Sequence, residues 1–156
     1  LYDDATAWND TAPTSTVFSL GSHEDSNGDG DAFVAYCWTE VLGYSDFGSY
    51  VGNGNADGPF VYTGFKPAWI MVKRVNTTGN WVIFDNKRSP INPRALQLHP
   101  NLTNADGAGN DQDFSANGWK VRATGSDVNG SGGTYIYAAF AEHPFGGSGV
   151  AQARAA

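Results

Sequence analysis

The sequence contains Asp127-Val-Asn-Gly-Ser-Gly-Gly-Thr-Tyr-Ile-Tyr-Ala-Ala-Phe-Ala-Glu142, and an earlier copy of the same stretch reads Asp25-Ser-Asn-Gly-Asp-Gly-Asp-Ala-Phe-Val-Ala-Tyr-Cys-Trp-Thr-Glu40. Each copy joins an Asn-Gly turn to a run of β-branched and aromatic residues. Asn-Gly supplies the positive-φ residues that a tight turn needs, and the run that follows is typical of a strand. The repeat therefore predicts two equivalent β-hairpins.

The composition favours strands over helices throughout the chain. Its 156 residues include 20 Gly, only one Met and 13% aromatic side chains. β-branched and aromatic residues are enriched in strands, and glycine is typical of the tight turns between them. A chain of this length buries about 70% of its unfolded surface, so a hydrophobic core is expected. We predict an all-β fold, an antiparallel β-sandwich resembling a jelly roll that includes the two repeated hairpins.

Alternating or continuously apolar runs mark the individual strands. The ends of the two hairpins are predicted at Thr16–Leu20 with Ala32–Val41 and at Trp119–Ala123 with Thr134–Glu142. Ala68–Val75 is apolar at both odd and even positions, which indicates a central strand covered on both faces. Further strands are predicted at Phe60–Phe65 and Asn80–Asp85. Loops are predicted at 43–58, at 86–100 with a short edge strand at Arg94–His99, and at 101–113.

The position of the first copy suggests how the chain is organised. Residues 1–42 carry the first hairpin with little strand-rich sequence before it, whereas residues 43–156 hold the strands that end in the second hairpin. We expect residues 1–42 to be the end of a preceding, similar unit, and 43–156 to be the main sandwich, with both parts in one compact domain. The start at Leu1 instead of Met fits a segment of a longer protein.

Charge and cysteine content exclude several classes of function. Nine Lys and Arg against 16 Asp and Glu give a net charge of −7, which repels phosphate backbones and anionic lipid. No run of eighteen apolar residues is present, as a membrane-spanning helix would require. Cys37 is the single cysteine and cannot form an internal disulfide. We predict neither nucleic-acid binding nor membrane insertion.

The first copy also matches the beginning of a calcium-binding loop. Oxygen ligands occur at alternate positions and a glycine follows at the sixth; the candidate ligands are Asp25, Asn27, Asp29 and Asp31. The match ends there, because the twelfth position is Tyr36 instead of glutamate and the flanking runs are strand-like. The second copy keeps the glycines but loses two of the acids. The shared requirement is turn geometry, so no cofactor is predicted and calcium remains an alternative.

A loop rich in aromatic and polar residues is the candidate binding site. Sugar recognition on a β-sandwich combines a flat aromatic ring with directional polar groups. The candidate ligand-binding residues are Tyr44, Tyr50, Asn53, Asn55 and Asp57. In the alternative interpretation Phe47 and Tyr50 fill the core and the Asn/Gly run is only a turn.

Catalytic signatures are not evident in the sequence. No serine lies in a Gly-x-Ser-x-Gly turn, and the three histidines are scattered. Glu40 and Glu142 stand at equivalent positions and could form a carboxylate pair for glycoside cleavage. Their repetition instead favours a structural role at the strand end, such as a hydrogen bond to backbone or an ion pair with Lys or Arg. We predict no catalytic residues and no enzyme activity.

Most of the chain resembles a domain found near the C-termini of bacteriophage tail fibres and other virion structural proteins. The similarity lies in Phe33–Arg74, Gly79–Arg88, Phe114–Trp119 and Gly132–Phe145. In relatives this domain often follows a concanavalin-like lectin or glucanase domain, and no catalytic residues are associated with it. The resemblance implies an extracellular fibre, spike or decoration module on the virion surface. Its expected partners are other virion proteins and a glycan or protein on the host surface.

Symmetric assembly is expected of such a module, since repeated copies multiply the avidity of a weak site. We expect a homo-oligomer, with a trimer favoured. Two alternatives remain at this point. One is a structural subunit that forms a filament or shell by strand addition to a sheet edge. The other is a tail-spike hydrolase that degrades a host glycan.

Overall fold

The computed structural model describes residues 5–144. The ends of the two predicted parts of the chain, residues 1–4 and 145–156, lie outside this range, and so does Phe145. The chain divides into two compact units, Leu1–Trp38 and Thr39–Ala156, each of which is described by itself. This division falls four residues before the boundary predicted between residues 42 and 43. Each of the three helices in the described range is a four-residue turn, and none is long and apolar enough to cross a membrane.

The second unit is an antiparallel β-sandwich, which confirms the predicted all-β class. The elements of this unit are β1 Ser45–Val51, β2 Phe60–Tyr62, β3 Pro67–Arg74, β4 Trp81–Asp85, β5 Arg94–Gln97, β6 Gly107–Ser115, β7 Gly118–Val121, the helical turn Ser126–Asn129 and β8 Thr134–Ala141. The first sheet has the strand order β1-β8-β3-β4 and the second has β2-β7-β6-β5.

Large apolar side chains from both sheets fill the space between them. The indole of Trp119 is fully buried, with its ring centroid 4.8 Å from that of Tyr137. The Tyr50 and Tyr135 rings stack with centroids 5.0 Å apart. The remaining core is mainly aliphatic and includes Val61, Phe65, Ile70, Val72, Val82, Phe84, Phe114, Val121, Val128 and Ala139. Ile70 and Val72 alternate with Trp69 and Met71, which therefore face away from the core.

The turn region of the repeated stretch adopts the same backbone in both copies. Helix α1 is Ala5–Trp8, α2 is Glu24–Asn27 in the first copy and α3 is Ser126–Asn129 in the second. In both helical turns the asparagine side chain returns to a carbonyl six residues earlier, Asn27 Nδ2 to Gly21 O at 2.8 Å and Asn129 Nδ2 to Ala123 O at 2.7 Å. A left-handed glycine follows in each copy, with φ of 79° and 67°. The repeat is therefore a structural repeat.

The predicted hairpins are the part of this interpretation that is wrong. In the second copy β7 lies in the second sheet and β8 in the first, so the two arms do not pair with each other. The twelve residues between them, with one helical turn, are too many for a tight hairpin and carry the chain from one sheet to the other. We call Gly118–Ala141 the closing module. In the first copy, residues 16–20 and 32–40 are not in strands at all.

Two strands were predicted as loops. β1 contains Gly48, whose missing side chain leaves space for the Tyr137 ring, since an added Cβ would lie 2.7 Å from the Tyr137 hydroxyl. β6 is mostly polar, yet Gln112 and Phe114 face the core while Asp113 forms an ion pair with Arg122 at 2.6 Å. Glycine and acidic residues lower strand propensity, and here cross-strand contacts outweigh it.

Candidate functional site

The structure separates the five predicted ligand-binding residues into different environments. Tyr50 is a core residue, as the alternative interpretation of this tyrosine predicted. Its side chain is buried between the sheets, and its hydroxyl donates a hydrogen bond to Val128 O at 2.7 Å. Burial raises the pKa of Tyr50 well above its ordinary value, with a further contribution from Tyr135. This phenol is neutral and is not presented to a ligand.

The polar residues of the same loop hold the loop's own backbone. Asn55 N donates to Asn53 Oδ1, and Asp57 N donates to Asn55 Oδ1, both at 2.9 Å. Such successive side-chain turns are a common way for Asn and Asp to stabilise a tight loop. The Asp57 carboxylate lies 2.8 Å from Lys120 Nζ. The hydrogen bond and charge of Lys120 lower the pKa of Asp57.

Asn129, which the sequence analysis did not select, connects this loop to the closing module. Its side chain is fully buried. It accepts a hydrogen bond from Asn53 N at 2.9 Å and donates to Asn55 O at 2.7 Å. The carbonyl of Asn129 also accepts from Gly54 N at 2.9 Å. The Asn/Asp loop is therefore a structural element, and the repetition of Asn27 at Asn129 was the signal that could have identified it.

Aromatic rings gather on the outer face of the first sheet. Phe140 lies at the centre, and three other rings contact it, namely Tyr44 at 5.8 Å, Phe47 at 6.0 Å and Trp69 at 5.5 Å between centroids. We call these four residues the aromatic face. Tyr44 is 38% exposed, and the other three rings are partly exposed. Tyr44 is thus the one predicted ligand-binding aromatic residue that belongs to an accessible cluster.

The apolar surface continues from the aromatic face across the sheet. The strand register aligns Phe47 with Ala138, Ala138 with Met71, and Met71 with Ile83 in one row. All four side chains are partly exposed. Lys73 lies in the next row, but its Nζ donates to the carbonyls of Arg74 at 2.7 Å and Gly79 at 3.0 Å. The sequence signal for this surface was that β3 is apolar at both its odd and its even positions.

The candidate carboxylate pair divides into one structural residue and one surface residue. Glu142 pairs with Lys66 Nζ at 2.7 Å and accepts from Asn86 Nδ2 at 2.7 Å. Glu142 therefore has the predicted ion pair at a strand end, but the structure does not repeat this pair at Glu40, so the role is not common to the two copies. Glu40 is exposed. Burial alone would raise the pKa of Glu142, but Lys66 and Asn86 outweigh it, and the net pKa is lowered.

The lowered pKa of Glu142 predicts an acid-dependent contribution to stability. A carboxyl group whose folded pKa lies below its unfolded value stabilises the protein above about pH 4.3, and this stabilisation is lost as the pH falls through the folded pKa. We expect Glu142→Gln to cost about 1 kcal/mol at pH 7 and almost nothing at pH 2.5, since the partly exposed pair is screened by solvent. Urea unfolding at the two pH values measures this difference.

Glu40→Gln is the matched control, because Glu40 occupies the equivalent position in the first copy. Its unfolding midpoint should follow that of the unchanged protein at both pH values. An equal cost of Glu142→Gln at pH 7 and pH 2.5 would show that the carboxylate charge does not contribute.

The calcium candidates lie on the surface of the first unit. Asp25, Asp29 and Asp31 are exposed, and Asn27 directs its amide nitrogen to Gly21 O. The His23 ring accepts from Asp25 N at 3.1 Å and lies 3.7 Å from the Asp25 carboxylate. Within residues 5–144 no three His, Cys, Asp or Glu side chains form a group that could hold a metal ion. Calcium binding stays an alternative prediction.

These features define the class of the protein as an antiparallel two-sheet sandwich with a partly exposed aromatic face. The chain belongs to the family DUF7483, described as a domain of unknown function, whose family model matches residues 1–144. No curated protein matches the chain. No solved structure matches it either.

Proposed function

We propose that this protein is a module of the virion surface of a bacteriophage, in a tail fibre, spike or decoration, and that its aromatic face binds a host-surface glycan or protein. One observation supports this binding role above the others. Tyr44, Phe47, Trp69 and Phe140 form a partly exposed aromatic cluster on one sheet face. The virion context rests on the sequence resemblance.

The chemistry of the face favours recognition by stacking. Aromatic rings bind the apolar faces of pyranose rings, and they also serve as anchors in protein interfaces. The one lysine in the neighbouring row is occupied by backbone carbonyls, so it contributes little free charge to a ligand. A neutral sugar therefore fits this surface better than a strongly anionic one. Assembly into a homotrimer would place three such faces on one particle and raise the avidity.

Binding of the purified protein to bacterial cells and to an array of their surface polysaccharides tests the proposal. We expect Trp69→Ala to weaken binding about tenfold or more, because a stacking ring contributes on the order of 1 kcal/mol beyond its buried area. Phe47→Ala is a second variant on the same face. Cells treated with periodate should lose binding if the ligand is a glycan, and cells treated with protease should lose it if the ligand is a protein.

Tyr62→Ala is the matched control, because Tyr62 is an exposed tyrosine on the other sheet, in β2. Its affinity should equal that of the unchanged protein. Unchanged binding by folded Trp69→Ala and Phe47→Ala variants, or equal losses in Tyr62→Ala, would contradict the proposed site.

The alternative of a self-assembling structural subunit also has support in the structure. The segment after α2 exposes large apolar side chains, with Val34 79% and Tyr36 76% accessible. Exposed strand-like segments of this kind can add to a sheet edge of a neighbouring copy. Sedimentation of the protein over a hundredfold concentration range distinguishes the two functions. Open-ended polymerisation without binding to cells would favour the assembly role.

A further inference from the structure

The first unit carries the same module as the second, but its arms lack partner strands. The backbone bonds of the two helical turns correspond, Asn27 N to His23 O at 2.8 Å and Asn129 N to Gly125 O at 2.7 Å. Beyond the turn the second copy enters β8, whereas residues 32–38 of the first copy are outside any strand and exposed. Two related local sequences thus have different structures, and neighbouring strands are present only around the second.

The exposed residues of the first copy have the apolar side chains that a central strand requires on both of its faces. β8 buries Tyr135 and Ala139 completely on its inner face, and the equivalent residues are Phe33 and Cys37. On its outer face β8 carries Ile136 and Phe140, and the equivalents are Val34 and Trp38. A run that is apolar on both faces is typical of a strand covered on both sides. Phe33, Val34, Tyr36 and Trp38 are instead 47% to 79% exposed.

Residues 5–144 hold two such modules and one set of strands that could pair with them. In the second unit β8 lies between β1 and β3, and β7 lies between β2 and β6. The closing module of the second unit already occupies both positions. If two copies of this chain exchanged modules, each chain would still contain one module with no strands to pair with. A sandwich of this fold that lacks its own closing module would have a place for residues 16–39.

We infer that residues 16–39 complete a second sandwich of this fold, formed by β1- to β6-type strands that precede them in the same polypeptide. The connection within the second unit favours this order. β6 ends at Ser115 and β7 begins at Gly118, so the closing module follows directly on a strand with which it pairs. This inference does not depend on the proposed binding function. It makes the second unit one of two successive sandwiches in the same polypeptide, with the first module as the end of the earlier one.

A tandem chain tests the inference. Residues 39–117 are joined directly to residues 16–156, which places β1–β6 ahead of the first module with the natural β6–β7 spacing. Cys37 is the single cysteine of the sequence, and it is exposed here. Because Ala139 at the equivalent position is fully buried, the Cys37 thiol should react with a maleimide at least about tenfold more slowly in the tandem chain than in the 156-residue chain.

Ala35→Asp gives a second measurement. Ala35 is exposed in the first unit and corresponds to Tyr137, which packs on Trp119 in the core. In the tandem chain this charge should restore rapid labelling of Cys37, whereas in the 156-residue chain it should leave labelling and the unfolding midpoint unchanged. Asp29→Ser is the matched control at the exposed tip of the turn, where the second copy has Ser131, and it should change neither chain.

Two results would overturn the inference. One is labelling of the tandem chain at the rate of the 156-residue chain, together with rapid proteolysis of the added strands. The other is protection of Cys37 in the 156-residue chain that rises with its concentration, because this would make a separate copy the partner.

Discussion

Asn129→Ala should lower the free energy of unfolding by about 3 kcal/mol, a large effect for one polar residue. The side chain is fully buried and accepts from Asn53 N while donating to Asn55 O and Ala123 O. Truncation leaves these backbone groups without partners, and each unsatisfied buried group costs about 1–3 kcal/mol. Water reaching the exposed loop recovers part of this cost. Urea unfolding followed by tryptophan fluorescence measures the difference.

Asn27→Ala is the control for this prediction, since Asn27 is the equivalent residue in the first copy. It is exposed, and its side-chain amide donates one hydrogen bond, to Gly21 O at 2.8 Å. We expect a cost below about 1 kcal/mol, the usual net value of one accessible hydrogen bond. Equal costs for the two variants would mean that the bonds from Asn129 to the Asn/Asp loop do not stabilise the sandwich.

The sequence predicted the fold class and most strands because their signals are local. Ala68–Val75 and Thr134–Glu142 are apolar runs bounded by turn residues, and they became β3 and β8. The pairing of β7 and β8, by contrast, depends on strands that are distant in sequence. A glycine turn between two strand-like runs favours a hairpin because the runs are close in sequence. β7 and β8 do not pair because each forms hydrogen bonds with strands of a different sheet. β6 was missed because Asp111 and Asp113 resemble loop residues until cross-strand partners are known.

The candidate site was predicted less well, for a related reason. Tyr44 and Tyr50 are both tyrosines in one Gly-rich stretch, but β1 directs Tyr50 between the sheets while Tyr44 lies before the strand begins. Phe140 and Trp69 are 71 residues apart in sequence and meet because β8 and β3 are neighbours in register. A cluster assembled across strands leaves no spacing pattern in the sequence. The one indication in the sequence was that β3 is apolar at both odd and even positions, which places apolar side chains on its outer face as well.

Trp119→Ala should cost about 4 kcal/mol of unfolding free energy, the range typical of removing a buried tryptophan. The side chain is fully buried and contacts Tyr137 and Tyr50 at 4.8 Å and 6.3 Å between ring centroids. These contacts join strand β7 in the second sheet to strands β8 and β1 in the first. The cavity left by the truncation therefore lies where the two sheets meet. Chemical denaturation of the variant measures the loss.

Two further variants separate the causes of this loss. Trp119 Nε1 has no hydrogen-bond partner within the described protein, so Trp119→Phe removes ring volume without breaking a hydrogen bond between protein groups and should cost about half as much as alanine. Val17→Ala changes the equivalent residue of the first module, which is 60% exposed, and should cost less than about 0.5 kcal/mol. In the tandem chain, Val17→Ala should cost more than in the 156-residue chain, because the side chain would then lie between two sheets. An equal cost in both chains would show that the first module stays outside the added sandwich.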